Sequence, residues 1–316
     1  MNPLLEVKDL AKYFETPFGY LHAVDHISFS LDEGETLGVV GESGCGKSTL
    51  GRSIIRMIEP DSGEVLFNGE DLLKKDKKEM KKMRQKLQMI FQDPYESLDP
   101  RMSISSIIEE PLRVNHLFTR EERREKVKHL METVGISERL ANSYPHELDG
   151  GRRQRVGIAR ALALDPKLIV CDEPVSALDV SIQAQILNMM QDLQEQEKLT
   201  YIFITHDLSV VRHISDSICV MYLGQIVEMG KTEELFQNIL HPYTKALLSA
   251  IPVPSRKNRR ERIVLQGEIT SPINPPAGCR FAKRCIHATD KCFEEMPELK
   301  DIGNGHFCAC HKVNHF

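Results

Sequence analysis

Residues 41–49 read Gly-Glu-Ser-Gly-Cys-Gly-Lys-Ser-Thr, and this run constrains the local fold more than any other in the chain. Gly41, Gly44 and Gly46 let the backbone bend and turn its N–H groups toward a single point. The apolar run Thr36-Leu37-Gly38-Val39-Val40 before it predicts a buried strand, and residues 48–58 after it predict a helix. Strand, glycine loop and helix N-terminus together make a cradle for phosphate. Ser43, Cys45 and Thr49 complete the loop. Lys47 is expected to reach the β- and γ-phosphates of a nucleotide, and Ser48 to hold Mg²⁺.

The rest of the composition narrows the class. The chain has 316 residues and a formal charge of −5, so no global basic field points to nucleic acid. No apolar run approaches the roughly 18 residues of a membrane helix, and the first residues lack the basic-then-apolar pattern of a signal sequence. The expectation is a cytoplasmic protein, held at a membrane only by partners. Of the eight cysteines, Cys279, Cys285, Cys292, Cys308 and Cys310 crowd the C-terminal end. Such clustering suggests a metal more than a disulfide framework.

Apolar positions of period two (Leu5, Val7, Leu10, then Ile27, Phe29, Leu31) predict strands in residues 4–40. Residues 60–70 predict another strand between turns. Two charged stretches, 71–86 and 119–134, predict solvated helices, the second with a capping box at Thr119 and Glu122. From residue 156 helix and strand alternate: strand at 168–171, helix at 180–197, strand at 200–204. The alternation argues for an α/β core with a largely parallel sheet. Near 252 the texture changes to Pro252-Val253-Pro254 and a basic run at 256–262, read as an exposed linker.

Asp172 and Glu173 follow the buried run 168–171. A carboxylate at such a strand end can hold Mg²⁺, and its neighbour can orient or deprotonate water. His206 follows the strand at 200–204, and Gln92 follows Met89-Ile90-Phe91. A neutral amide at Gln92 suits Mg²⁺ or the attacking water.

In chain order the motifs are the phosphate loop, Gln92 before Asp93-Pro94, Leu148-Asp149-Gly150-Gly151-Arg152-Arg153-Gln154, Asp172-Glu173, Ser176-Ala177-Leu178-Asp179 and His206. Together they resemble the nucleotide-binding subunit of an ABC transporter. The resemblance implies an α/β P-loop ATPase domain over about residues 1–250, with a helical subdomain at about 93–145. It implies catalytic roles for Glu173, His206 and Gln92. It also places an aromatic on adenine, matched by Phe14 with Tyr13 the adjacent alternative. Asp149, Gly150, Gly151, Arg152 and Asp179 would face nucleotide across a dimer. His241-Pro242-Tyr243-Thr244-Lys245-Ala246-Leu247-Leu248 and Gly278-Cys279-Arg280-Phe281-Ala282-Lys283-Arg284-Cys285 resemble the C-terminal extension of oligopeptide/dipeptide-permease ATPases. Residues 251–316 are therefore expected to be a linker and a small Cys-rich extension. Nickel importers share much of this branch.

The implied machine imports peptides. A second ATPase subunit, two transmembrane permease subunits and an extracytoplasmic solute-binding protein would be its partners, with this chain on the cytoplasmic face. The tail's spacing resembles a [4Fe–4S] site with Cys279, Cys285, Cys292 and Cys310 as ligands; zinc is the alternative. Cys308 stands where that pattern usually has an apolar residue, as a spare thiol or a competitor of Cys310. Cys45, inside the loop, is expected to make the ATPase sensitive to thiol reagents, whereas Cys171 and Cys219 read as core.

One departure stands out. The family's signature loop usually reads Leu-Ser-Gly-Gly-Gln, and here Asp149 replaces the serine and Arg152 the glutamine. An ionised carboxylate cannot donate to phosphate and repels it. This favours a heterodimer in which the site served by Asp149 is the weaker, unless Arg152 compensates by pairing with Asp149 or facing the phosphate. Other classes fit less well. A DNA-maintenance ATPase needs a long coiled coil between residues 49 and 168, where no heptad run occurs. A translation-linked ATPase carries two such cassettes. A nucleotide-dependent interaction module without transport is the remaining alternative.

Overall fold

Alternation of apolar and polar residues starts the chain as an antiparallel ribbon. The computed structural model describes residues 3–250, 263–265, 267 and 271–313, so the basic run at 256–262 and Pro252-Val253-Pro254 lie outside the described residues. Strands β1 (Leu5–Thr16) and β2 (Gly19–Leu31) pair with Leu5 opposite Leu31 and Val7 opposite Phe29. Leu5, Val7, Leu10, Ile27 and Leu31 are all buried, as their period-two spacing predicts. Next come β3 (Thr36–Val40), α1 (Lys47–Ile54), β4 (Ser62–Phe67) and β5 (Glu70–Asp71). Helix α1 stops at Ile54, short of the expected residue 58, because Arg56 turns left-handed (φ 54°) and ends the helical hydrogen bonding.

The middle of the chain is helical. It holds α2 (Lys77–Lys86), β6 (Leu87–Ile90), α3 (Pro94–Ser97), α4 (Ile104–Val114), α5 (Arg120–Thr133), α6 (Gly150–Leu162), β7 (Leu168–Asp172) and α7 (Val180–Glu197). The helix expected from residue 71 begins only at Lys77, since Asp76 caps it with a full capping box to Glu79. Helix α5 has the predicted box: Thr119 accepts the Glu122 N–H, and Glu122 accepts the Thr119 N–H. Then follow β8 (Thr200–Thr205), α8 (Leu208–Ile214), β9 (Ser217–Tyr222), β10 (Gln225–Lys231), α9 (Thr232–Gln237), α10 (Pro242–Ser249), α11 (Asp290–Glu294), β11 (Lys300–Gly303) and β12 (His306–Cys308).

The chain divides into two compact units. The first gathers Met1–Asp32, Thr36–Leu73 and Phe203–Phe316. It contains the sheet β2-β1-β4-β5 and the strand order β11-β12-β10-β9-β3, in which β3 and β9 run parallel. The second gathers Glu33–Glu35 and Lys74–Ile202. There β6 and β7 pair in parallel, and α4 packs on α5 and α6. Every residue of β3 and β7 is buried, which explains their unbroken apolar runs. Among the described residues no helix is long and apolar enough to cross a membrane.

Candidate functional site

The phosphate loop lies in the first unit, between β3 and α1. Gly46 caps α1 at φ 104°, and a Cβ there would stand 1.9 Å from the Ala23 carbonyl oxygen. Only glycine fits that turn. Lys47 is buried, and its Nζ donates to the Gly41 carbonyl at 2.9 Å and the Glu42 carbonyl at 3.0 Å. Ser43 and Gly44 are exposed at the loop's crest, with Ser48 and Thr49 half-buried at the start of the helix. Cys45 is buried, and burial pushes its thiol above the ordinary range. A protonated, shielded thiol reacts slowly, which counts against the expected sensitivity to thiol reagents at this position.

The aromatic candidates on β1 have different neighbours. The Tyr13 ring packs on His22 at 4.4 Å, and its hydroxyl donates to Asp25 at 2.5 Å. Phe14 is half-buried beneath the Lys12 ammonium, 5.3 Å from the ring centre. His206 also belongs to the first unit, exposed just after β8, while Asp207 caps α8.

The other motif residues lie in the second unit. Asp172 ends β7 fully buried. Glu173 follows with φ 46°, a conformation that costs a non-glycine residue free energy and tends to occur at functional sites. The Gln92 amide donates to the Glu173 carboxylate at 3.2 Å, so the fold joins two residues 81 positions apart. A carboxylate oriented by a neutral amide is suited to align or deprotonate water. Asp179 precedes α7 without a side-chain capping bond.

Asp149 caps α6: its Oδ1 accepts the Arg152 N–H at 2.8 Å, and its Oδ2 stands 3.4 Å from the Arg152 guanidinium. The pairing weighed from the sequence is therefore present, with the two side chains 59% and 57% exposed. Gly151 lies against α7, where a Cβ would come within 2.6 Å of Ile182, and Gly150 lies against Leu178. Aspartate serves as well as serine at a helix N-cap, so the departure leaves the helix intact and changes only the chemistry it presents.

Among the described residues no group of three or more His, Cys, Asp or Glu side chains is placed to hold a metal ion. Burial raises the Cys279 thiol to about 11 and also raises Cys285 and Cys310, so these sulfurs are placed as neutral thiols. Cys292 is buried on α11, and Cys308 is buried on β12 beside β10. Cys171 and Cys219 are core residues, as expected.

Sequence reasoning missed the contacts of this tail. Arg284 holds Glu42 of the phosphate loop through two hydrogen bonds, 2.7 and 3.0 Å. Arg280 pairs with Asp25 and donates to the Leu223 carbonyl. The Tyr243 hydroxyl accepts the Glu42 N–H at 2.8 Å. Their motifs were visible, but nothing in their spacing named partners more than 200 residues away.

Comparisons with known proteins agree with this architecture. The ABC transporter family matches residues 24–176, and the oligopeptide/dipeptide transporter C-terminal region matches residues 227–292. The chain is 53% identical to the oligopeptide transport ATP-binding protein AppF of Bacillus subtilis, over 98% of this chain and 97% of that one. It is 52% identical to the dipeptide transport ATP-binding protein DppF of Haemophilus influenzae, over 99% and 98%. Among solved structures it resembles the ATP-binding cassette MJ0796 in a dimeric post-hydrolysis state with ADP and Pi. There the TM-score is 0.67 at 30% identity, covering 72% of this chain and 98% of that one. It resembles cbiO1 of Clostridium perfringens equally, with TM-score 0.67 at 29% identity over 75% and 92%. With an ABC cassette fold, a phosphate loop and near-full-length relatives, the chain is an ABC ATPase and belongs to the family of oligopeptide/dipeptide transport ATP-binding proteins.

Proposed function

We propose that this chain hydrolyses ATP to energise the import of di- and oligopeptides, as one of two ATPase subunits beneath a pair of membrane permeases. The supporting observation is the Gln92–Glu173 hydrogen bond at the end of a buried strand. It gives the carboxylate a fixed orientation, as a general base that takes a proton from water needs. In this reading Glu173 takes that proton, Gln92 orients it, and His206 faces the γ-phosphate. Lys47 and the loop N–H groups hold the β- and γ-phosphates. Phe14 stacks on adenine, because Tyr13 is already engaged with His22 and Asp25. Ser48, Gln92 and Asp172 are oxygen donors, a set that suits Mg²⁺. When bound there, the ion would neutralise phosphate charge.

The segment at about 93–145 would couple to the membrane subunits, placing the chain on the cytoplasmic face, fed by an extracytoplasmic solute-binding protein. Reconstituted transporter in vesicles should take up labelled dipeptide or oligopeptide only with ATP, and Lys47→Ala in this chain should reduce uptake at least tenfold. Uptake of nickel instead of peptide would shift the cargo assignment. A chain that never joins membrane subunits on coexpression would favour a non-transport module.

The exposed Asp149–Arg152 pair supports an asymmetric dimer, with a partner signature completing the working site and Asp149 serving the weaker one. Replacing the catalytic glutamate in one subunit at a time tests it. Glu173→Gln should abolish most turnover; near-normal turnover with full loss from the partner's equivalent change would refute the asymmetry. For the tail, four thiols form a soft donor set that suits a [4Fe–4S] cluster, or zinc. Their crowding at the C-terminal end of the chain supports this reading. Anaerobic protein with neither iron nor broad visible absorbance would remove the cluster.

A further inference from the structure

We propose that Arg284 of the Cys-rich tail is a positioning residue of the nucleotide site, neutralising and holding Glu42 so that the phosphate loop can accept ATP. Glu42 is the second residue of that loop, a carboxylate within a segment that must receive a polyanion. Its backbone carbonyl already holds the Lys47 ammonium, at 3.0 Å. A bare carboxylate there would repel the triphosphate and draw Lys47 away from it.

The structure prevents this from the C-terminal side. The Arg284 guanidinium meets Glu42 in a bidentate fork, its side chain 7% exposed. Forked, shielded pairs of this kind fix geometry as well as charge. Arg284 is held in turn by Tyr222, whose hydroxyl accepts from Nη1 at 3.4 Å and whose ring lies 5.9 Å below the guanidinium. Tyr222 packs edge-on against Phe281, at 5.3 Å, and Tyr243, at 4.7 Å. The Tyr243 hydroxyl accepts the Glu42 N–H, so both the backbone and the side chain of Glu42 are fixed by residues from beyond position 240. Four residues before Arg284, Arg280 pairs with Asp25, which accepts from Tyr13 beside Phe14. The tail thereby touches the phosphate loop directly and, through Asp25 on β2, is linked to Tyr13 on the strand that carries the adenine candidate.

This inference deepens the ATP reading and rests on it. The test is titration of the full-length chain with fluorescent MgATP analogue and with adenosine, for wild type, Arg284→Gln, Glu42→Gln and the double variant. Wild type that binds no MgATP would refute the ATP reading itself. Given wild-type binding, Arg284→Gln should weaken MgATP about tenfold through the exposed carboxylate, with adenosine affinity nearly unchanged. Glu42→Gln should bind MgATP at least as tightly as wild type, and the double variant should recover to within about threefold. A merely structural Arg284 would leave the double variant as weak as Arg284→Gln. That result, or an Arg284→Gln affinity within twofold of wild type, overturns the proposal. Should Arg284→Gln fail to fold, Glu42→Gln alone decides, since weakened MgATP binding in that variant contradicts the charge argument.

Discussion

Glu173 combines a left-handed backbone with a hydrogen bond from Gln92. Glu173→Gln keeps the shape and the amide contact but removes the base. Phosphate release by the assembled transporter should fall by about a hundredfold or more, with nucleotide affinity near wild type. At Gly46 the constraint is steric. Gly46→Ala would drive a Cβ into the Ala23 carbonyl at φ 104°, so the loop must shift, and nucleotide titration should show at least a tenfold loss of affinity. Cys45 belongs to the same scale. Mass-spectrometric mapping after brief alkylation of the native protein should find Cys45, Cys171 and Cys219 unmodified.

Helix α6 shows how an element can keep its structure while its chemistry changes. Asp149 accepts the Arg152 N–H at the start of the helix, a bond that a serine hydroxyl can also accept. Asp149→Ser should therefore change stability by less than about 0.5 kcal/mol, whereas Asp149→Ala should cost about 1 kcal/mol in thermal unfolding. If the carboxylate is what impairs the second site, Asp149→Ser should also raise turnover of the assembled transporter. The capping boxes Asp76–Glu79 and Thr119–Glu122 set the starts of α2 and α5. Only the second was read from sequence, because charge density alone does not say where a solvated helix begins, and the Asp76 box was hidden in a uniformly charged run.

At the scale of the first unit, a buried polar cluster ties the tail to the cassette. Glu228 accepts the Leu240 and His241 N–H groups and stands 2.9 Å from His306 Nε2. His241, fully buried, accepts the Tyr243 N–H on Nδ1, and burial lowers its pKa to about 4 against the pull of Glu228. The folded chain thus refuses a proton that the unfolded chain accepts below about pH 6.5. Stability is fully present above that pH and falls as pH drops toward 4, by at most on the order of 3 kcal/mol from this residue. Urea midpoints measured across that window should decline, and His241→Gln should flatten the decline. A decline unchanged in that variant would place the titration elsewhere.

The motifs that name the family were legible because each is a short run whose chemistry depends on neighbours in sequence: glycines that bend, a lysine and serine at a helix start, acids after an apolar strand. The strands and most of the helices followed from periodicity for the same local reason. What only the tertiary structure decided are contacts between distant positions. Gln92 reaches Glu173, Arg284 reaches Glu42, and Tyr243 reaches the Glu42 backbone. Burial decided the rest, making Cys45 a shielded thiol, and among the described residues the fold places no group of three or more His, Cys, Asp or Glu side chains to hold a metal ion. Spacing can nominate donors for a metal or a phosphate. Whether they converge, and in which protonation state, depends on desolvation and packing, which local sequence does not carry.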